Sequence, residues 1–194
     1  MEFRPDSLTW AMASPLSIRP ATSADTVSIA ALHATSWKSA YKNILPQEYL
    51  DNDLESERKQ YWFAKMQGLT VDDFILLVEK DNTLIGFVAV LDRPEKGYAA
   101  LIDNLHVLPE EKSNKIGIYL LCSAARELKK RKKDSFYLWV FDQNTPAINF
   151  YHKAGGRPLD HNLFEINDRK IPETRYVWES VDRLNNLFDS LVIA

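Results

Sequence analysis

The sequence predicts a mixed α/β (α+β) fold, in which a mostly antiparallel sheet carries helices on both faces. Apolar runs with strand character alternate along the chain with segments of helical periodicity. The short turn Asp81-Asn82 joins two such runs, residues 74–79 and 84–90, into an antiparallel hairpin. Residues 99–141 have the order strand–helix–strand, which predicts a parallel unit with a right-handed crossover.

The elements before the hairpin are a strand and two helices. Residues 16–19 alternate in polarity and predict a short edge strand. Thr22 or Ser23 can cap the helix that follows, because a hydroxyl accepts a hydrogen bond from a free amide of the first turn. A second helical stretch begins at Pro46 and is rich in aromatic residues.

The elements after the hairpin complete the sheet. A helix with one apolar face is predicted over residues 116–130, followed by a buried strand at 136–141. Pro146 opens a short helix that Gly155-Gly156 ends. The remaining predicted elements are two strands and an amphipathic helical tail, at residues 159–166, 173–179 and 181–194.

These elements predict a domain over residues 15–180, with an N-terminal extension at 1–14 and the helical tail at 181–194. The hydrophobic content of 45% and the charged content of 26% are typical of a globular protein with a full core. No apolar run approaches the roughly 20 residues that cross a bilayer. The first 14 residues lack the basic start and apolar middle of a secretory signal. We therefore expect a cytoplasmic protein without a membrane partner.

Charge and cysteine content narrow the classes of partner. The net charge of −3 disfavours a nucleic-acid partner, which requires a basic face. The basic run at residues 129–133 ends a predicted helix, where it complements the helix dipole and stays solvated. The single cysteine, Cys122, lies in an apolar run and is expected to be a buried apolar residue. We expect no metal ion, and a homodimer is compatible with the sequence.

Three stretches carry a family resemblance. The first is a strand ended by a proline turn, Leu105-His106-Val107-Leu108-Pro109-Glu110. The second is the loop Lys112-Ser113-Asn114-Lys115-Ile116-Gly117 before a helix, at the place of a loop with the pattern Q/R-x-x-G-x-G/A. The third, residues 144–156, follows N-x-x-A-x-x-F-Y-x-x-x-G-F except that Gly156 replaces the final aromatic. Together they resemble the GNAT superfamily of N-acetyltransferases, and residues 37–50 are similar to a bacterial subgroup of it.

This resemblance, which covers about residues 15–180, implies the GNAT fold and the transfer of an acetyl group from acetyl-CoA to a primary amine. The acceptor is a small molecule or a peptide, and the amine attacks directly in a ternary complex. Acetyl-CoA is thus the expected cosubstrate. The residues that the resemblance implies for binding it are Leu105, His106, Val107, Lys112, Ser113, Asn114, Lys115, Ile116, Gly117 and Asn144.

The loop before the helix suits the pyrophosphate of acetyl-CoA, because a helix N-terminus offers unpaired amides and a partial positive charge. Lys112, Ser113 and Lys115 replace the glutamine or arginine, a common glycine and the first motif glycine of the family, and only Gly117 matches. The lysines attract phosphate, whereas a side chain at residue 115 crowds the pyrophosphate. An ordinary turn that has lost CoA binding is the alternative.

Tyr151 matches the tyrosine that protonates the departing CoA thiolate in the family. A phenol suits this role because thiolate and phenolate are bases of comparable strength. The alternative is a core tyrosine on a short helix. Asn144 matches the asparagine near the cofactor, and it can also cap the helix that Pro146 opens.

The base that deprotonates the amine is not evident. An amine with a pKa of about 10.4 must lose its proton before it attacks. The family often places a glutamate at positions where this chain has Leu101 and Trp139. Asp103 shares a strand face with Leu101 and is the first choice, whereas His106 is expected on the opposite face. Water is the other option.

Aromatic residues of the early helices, Trp37 and Tyr41, border the region where the family binds its acceptor. Their rings suit an ammonium group by cation–π attraction, or they pack the helices on the sheet. The altered loop and the missing glutamate favour one alternative function, a catalytically inactive GNAT-like module that binds acyl-CoA or a protein. A protein acetyltransferase and a nucleic-acid binder are the others.

Overall fold

A seven-stranded sheet runs through the molecule, and the computed structural model describes residues 16–166 and 169–192, so the predicted extension at 1–14 lies outside the described residues. The strand order is β1-β2-β3-β4-β5-β7-β6, and β4 and β5 are parallel whereas the other neighbours are antiparallel. This confirms the predicted mixed sheet. The strands are β1 (Leu16–Pro20), β2 (Phe74–Lys80), β3 (Thr83–Leu91), β4 (Leu101–Val107), β5 (Phe136–Phe141), β6 (Arg157–Ile166) and β7 (Arg169–Trp178).

Helices cover both faces of this sheet, as predicted. On one face, Ile29 and Trp62 from the first two helices pack against Phe87 of β3. On the other face, Leu120 and Leu184 from the third and fifth helices are fully buried in the larger core cluster. The helices are α1 (Thr26–Ala40), α2 (Leu54–Gly68), α3 (Ile116–Lys130), α4 (Thr145–Lys153) and α5 (Asp182–Val192).

The stretch predicted as a helix from Pro46 has two parts. Tyr49–Asp53 forms one wide π-helical turn, and the regular helix α2 begins only at Leu54. Acidic residues are concentrated here, with Asp51 in the wide turn and Glu55 in the first turn of α2. The predicted element therefore exists, but its regular part starts later than the proline suggests.

The hairpin turn has the geometry that its sequence predicts. Asp81 and Asn82 have φ values of 51° and 60°, in the left-handed region where short polar residues are tolerated. Lys80 pairs with Thr83 directly across the turn. The turn therefore fixes the register of β2 against β3.

Strands β4 and β5 meet at a single point and then separate. The register places Leu101 opposite Tyr137, and the Tyr137 amide donates to the Ala100 carbonyl at 3.0 Å. The crossover between them contains α3, which confirms the predicted parallel unit. Because the two strands pair only near their amino ends, their carboxyl ends leave a gap in the sheet.

A β-bulge interrupts β4 at Asp103. Neighbouring residues Ala89 and Val90 of β3 pair with Asn104 and Ile102, so Asp103 has no partner on that strand. The extra residue reverses the alternation of side chains beyond it. The bulge therefore changes which residues of β4 share a face.

The prediction that Asp103 and His106 lie on opposite faces of β4 is consequently wrong. The Asp103 carboxylate accepts a hydrogen bond from Tyr61 of α2, and the His106 ring lies 3.1 Å from the Ser36 hydroxyl of α1. Both side chains therefore point to the face that α1 and α2 cover. Strict alternation placed them on opposite faces because it did not include the bulge.

Four of the five residues of the basic run at 129–133 pair with neighbouring carboxylates. Lys129 pairs with Asp134 and Asp182 at 2.9 and 3.1 Å, and Lys133 pairs with Asp92 at 2.5 Å. Surface ion pairs of this kind contribute little to stability, but they cancel the local charge. The run therefore forms part of the ordinary charged surface.

Gly156 is required by the packing of Trp178. A Cβ atom at residue 156 would lie 2.5 Å from Cζ2 of the indole, closer than real Cβ contacts. The indole is fixed, because its Nε1 donates to the Ala154 carbonyl at 3.1 Å and its ring stacks on Phe136. Trp178 thus fills the space beside residue 156, the position where the family motif carries an aromatic residue.

We expect Gly156→Ala to lower the free energy of unfolding by roughly 1–3 kcal/mol, the usual cost of overpacking a filled site. Gly68→Ala is the matched control, since nothing lies within 4 Å of its Cβ position at the end of α2. The control should be neutral or stabilising, because alanine favours helices. Urea denaturation of both variants measures the difference, and equal effects would contradict the role of Trp178.

Candidate active site

A cavity of about 1180 Å³ opens where β4 and β5 separate. Its walls come from β4, the loop before α3, β5, α4 and the end of α1. All sequence-predicted site residues except Asn114 line it. They are Leu105, His106, Val107, Lys112, Ser113, Lys115, Ile116, Gly117, Asn144, Tyr151, Asp103, Trp37 and Tyr41.

Asn114 is the predicted residue that lies away from the cavity wall. Its side-chain amide donates to the Glu111 carboxylate at 2.9 Å, which directs it towards the short turn Pro109–Glu111. The neighbouring backbone explains this direction, because Ser113 and Lys115 are both left-handed, with φ values of 74° and 61°. Asn114 therefore holds the turn rather than the cavity.

The left-handed residues occur where the family motif has glycines. A left-handed residue with a Cβ costs roughly 1–2 kcal/mol, so Ser113 and Lys115 adopt a backbone conformation that favours glycine at an energetic cost. Lys115 is the N-cap of α3, and the Tyr119 amide donates to its carbonyl at 3.0 Å. The first amides of α3 precede that bond, so they have no carbonyl one turn back within the helix.

Gly117, in the first turn of α3, faces the ring of Phe150. A Cβ atom here would lie 3.6 Å from Cζ of that ring, an ordinary van der Waals contact. The structure itself therefore tolerates a methyl group at this position. A larger or charged side chain would enter the cavity that Gly117 lines.

Tyr151 is the one buried residue of α4, with 8% of its surface exposed. Burial raises the pKa of Tyr151, and the nearby Tyr41 adds to the shift. The ring packs against Trp178 and Tyr176 at centroid distances of 6.0 and 6.2 Å. The phenol therefore stays protonated at neutral pH. Packing of the ring fixes the side chain, which lines the cavity.

Asn144 begins α4 and reaches into the same region. Its Oδ1 accepts a hydrogen bond from the Ala147 amide at 3.4 Å, as a helix cap does. Burial raises the pKa of Tyr41 to about 12, and a hydrogen bond with the Asn144 side chain opposes that shift. Asn144 therefore combines a capping role with a position in the cavity wall.

Asp103 is held by donors from α2 and from its own strand. Its Oδ2 accepts from the Tyr61 hydroxyl and from the Lys65 ammonium, both at 2.7 Å, and the Asn104 side-chain amide also donates to it. The Lys65 pair is four-fifths or more buried on both sides. The carboxylate thus fastens α2 to the bulge of β4.

Two histidine rings stack beneath the cavity. His33 and His106 lie 4.3 Å apart, and the Trp62 indole donates to Nδ1 of His33 at 2.9 Å. Burial lowers the pKa of His33 well below its usual value and that of His106 to about 3. Both imidazoles are therefore neutral, and His33 carries its proton on Nε2.

Trp37 and Tyr41 form an aromatic wall that also packs the core. The Tyr41 ring lies 5.1 Å from Trp37 and 5.0 Å from Phe141 of β5. The Arg58 guanidinium covers Trp37 at 4.5 Å. Trp37 Nε1 is buried and has no acceptor among the residues that the structure describes. Both rings therefore pack in the core and also line the cavity, and their contact with an acceptor amine stays a prediction.

Glu173 of β7 is a cavity residue that the sequence did not reveal. It is 7% exposed, its Oε1 accepts from the Asn162 amide at 3.0 Å, and burial raises its pKa. It pairs with Phe141 across the sheet and lines the cavity. A glutamate at the start of a predicted strand gave no sign of burial in the sequence. Its burial depends on pairing with Asn162 of β6 and Phe141 of β5, which the sequence does not show.

The family follows from a comparison with known proteins. A family model described as the acetyltransferase (GNAT) family matches residues 34–156, more than half of the chain. The chain belongs to the GNAT acetyltransferase family. It is therefore an enzyme of the N-acetyltransferase class.

Individual GNAT relatives extend over most of the chain. The uncharacterized N-acetyltransferase YuaI of Bacillus subtilis is 26% identical over 90% of this chain and 99% of its own. The spermidine N(1)-acetyltransferase of Thermoplasma acidophilum is 31% identical over 64% of this chain and 78% of its own. The crystal structure of the PaiA N-acetyltransferase of the same organism, in complex with coenzyme A, matches with a TM-score of 0.65 and 27% identity, covering 84% of this chain and 99% of that one.

Two classes of feature are absent from residues 16–166 and 169–192. No helix in that part of the chain has the length and apolar character that a bilayer span requires. No cluster of three or more histidine, cysteine or acidic side chains in it is arranged to hold a metal ion.

The stacked histidines predict how stability depends on pH. Their pKa values are lowered in the folded state, so the unfolded chain binds more protons below about pH 6.5 and stability falls there. Each buried histidine contributes up to about 1.4 kcal/mol per pH unit. We expect His106→Phe, which keeps a ring beside His33, to flatten the decline between pH 6.5 and 5. Urea denaturation at several pH values checks it, and an unchanged slope would contradict the assignment.

Proposed function

We propose that this chain transfers the acetyl group of acetyl-CoA to a primary amine, by direct attack within the cavity between β4 and β5. The single observation that carries the proposal is the arrangement of the gap. One cavity is lined by the N-terminus of α3 with two lysines, by Tyr151 and by the aromatic pair Trp37 and Tyr41.

The loop before α3 suits the anionic part of acetyl-CoA. The first amides of α3 are free to donate to phosphate oxygens, and the helix dipole favours a negative charge there. Lys112 and Lys115 line the same wall and add positive charge. The unpaired edges of β4 and β5 offer backbone donors and acceptors to the amide groups of the pantetheine arm.

Tyr151 is the proposed proton donor. The nitrogen of a neutral amine attacks the thioester carbonyl carbon, the carbon–sulfur bond breaks, and the phenol gives its proton to the thiolate. Because burial raises the pKa of Tyr151, full loss of its proton is unfavourable. The proton that the attacking nitrogen releases therefore returns to the phenolate in the same event.

Asp103 remains the predicted base, but its contacts favour a structural role. Its Oδ2 is occupied by Tyr61 and Lys65, so a proton taken there would replace an ion pair. We propose that Asp103 mainly positions α2 beside the cavity. Its substitution by asparagine should then change the shape of the acceptor site more than the protonation of the amine.

The acceptor that we propose to test first is spermidine, because a relative named for that substrate shares 31% identity over 64% of this chain. The aromatic wall suits a cationic amine. Calorimetric titration with acetyl-CoA, followed by thiol release with a panel of polyamines, monoamines and peptides, tests the proposal. Binding without thiol release from any amine would favour the inactive acyl-CoA-binding module instead.

We expect Gly117→Asp to weaken acetyl-CoA binding at least 10-fold, since it adds bulk and negative charge at an anion site. Gly117→Ala is the matched control, because the fold has room for a methyl group there. Calorimetric titration of both variants measures the dissociation constants. An aspartate variant that binds like wild type would show that the pyrophosphate lies elsewhere.

We expect Tyr151→Phe to lower kcat by about 10-fold to 10⁴-fold with little change in acetyl-CoA affinity, the usual range for a lost acid–base group. The ring and its packing stay, and only the proton donor is removed. Tyr119→Phe on α3 is the control, because its stacking on Phe188 needs no hydroxyl. Wild-type turnover in Tyr151→Phe would assign protonation of the thiolate to water or another residue.

A further inference from the structure

Glu173 is a buried carboxylate without a cation. It is 7% exposed, and among the described residues no lysine, arginine or histidine lies within ion-pair distance of it. By contrast, Asp103 has Lys65, and the buried Arg175 on the same strand has Glu95 and Asp160. Of the acidic residues that line the cavity, Asp103 and Glu111 have lysine partners, whereas Glu173 has no cationic partner among the described residues.

The surroundings of Glu173 increase this imbalance. Asp142 adds a negative charge nearby, and the one direct hydrogen bond comes from the neutral amide of Asn162. A carboxylate taken out of water without a charged partner is costly, unless it is protonated or a cation joins it. Since Glu173 lines the cavity, the missing cation can come from a ligand.

Glu173 lies in the same part of the cavity as the proposed proton donor. Glu173 pairs across the sheet with Phe141, and the Phe141 ring lies 5.0 Å from that of Tyr41. Tyr41 in turn contributes to the raised pKa of Tyr151. Oε1 of Glu173 is held by Asn162, which leaves Oε2 without a hydrogen-bonding protein partner among the described residues. An amine at Oε2 would therefore lie beside the aromatic wall and close to the tyrosine pair.

We propose, resting on the acetyl transfer proposed above, that Glu173 binds the ammonium group of the acceptor and takes its proton. The ammonium N–H bond breaks, its electron pair stays on nitrogen, and the proton goes to Oε2. The freed nitrogen attacks the thioester carbon, and the carbon–sulfur bond breaks. The thiolate takes the proton of Tyr151, and the Tyr151 phenolate takes the second proton of the attacking nitrogen. Glu173 then releases its proton to solvent, so the reaction yields the amide, CoA thiol and one proton.

The other groups on this cavity suit the role less well. Oδ2 of Asp103 is already engaged by Tyr61 and Lys65. His106 stacks on His33, and desolvation opposes its protonated form. Glu173 differs from both because taking a proton removes a buried charge instead of breaking an ion pair or creating a cation in the core.

The test compares Glu173→Gln with wild type, with spermidine as the first amine. Glutamine keeps the shape and the acceptor for Asn162 but cannot take a proton. We expect kcat/KM to fall by about 10²-fold to 10⁴-fold, and the acidic limb of its pH profile to disappear. Glu165→Gln on the exposed side of the same hairpin should behave as wild type. In Asp103→Asn the acidic limb should persist.

Two further measurements do not depend on turnover. Spermidine affinity by calorimetry should fall at least 10-fold in Glu173→Gln. The melting temperature of that variant should equal or exceed that of wild type above about pH 5, because an unpaired buried carboxylate destabilises the fold once it is ionised. A carboxylate with a purely structural role would instead lower the melting temperature when replaced.

The outcomes separate the two proposals. Glu173→Gln can release thiol at the wild-type rate, with the same acidic limb and the same spermidine affinity. That result overturns the role of Glu173 and leaves acetyl transfer intact. Loss of spermidine binding in the variant, with no thiol release from wild type, supports the ammonium site and overturns acetyl transfer. A wild type that binds no amine of the panel overturns both.

Discussion

The separation of β4 from β5 is the constraint on which the rest of the site depends. The two strands share one register pair, Leu101 with Tyr137, and then diverge. Backbone groups in the interior of a sheet are normally paired, so a gap exposes donors and acceptors that only a ligand or water can satisfy. The crossover through α3 places a helix N-terminus beside this gap, and β7 pairs with the other edge of β5. The functional chemistry is thus arranged around a place where regular pairing stops.

The bulge at Asp103 has a second, local effect on this arrangement. One extra residue on β4 brings Asp103 and His106 to the same face, where α1 and α2 supply Ser36 and Tyr61 as their partners. The polar groups of β4 are consequently bound by helices instead of being presented freely to the cavity. This leaves the hairpin of β6 and β7, and Glu173 in particular, as the source of an uncompensated charge.

Features encoded in contiguous residues could be predicted from the sequence. The hairpin turn at Asp81 and Asn82, the helix α3 and the motif at residues 144–156 each depend on a few neighbouring residues. Most strands and helices lie close to where their periodicity placed them, apart from the later start of α2 and the earlier start of β7. The bulge and the burial of Glu173 could not be predicted, because both arise from pairing between segments far apart in the chain. Gly156 was recognised as a departure from the motif, but its cause, Trp178, lies 22 residues further along.

The walls of the cavity come from two parts of the chain. Residues 173–178 of β7 pair with β5, whereas residues 169–172 pair with β6 alone. The outer end of this hairpin contacts β5 through the rings of Phe164 and Phe141. The loop, α3 and α4 form the wall proposed for the acyl donor, and the hairpin with α1 forms the wall proposed for the acceptor. Sequence change in the hairpin can therefore remodel one wall without disturbing the other. Such a division allows acceptor preference to diverge in evolution while the donor half is retained.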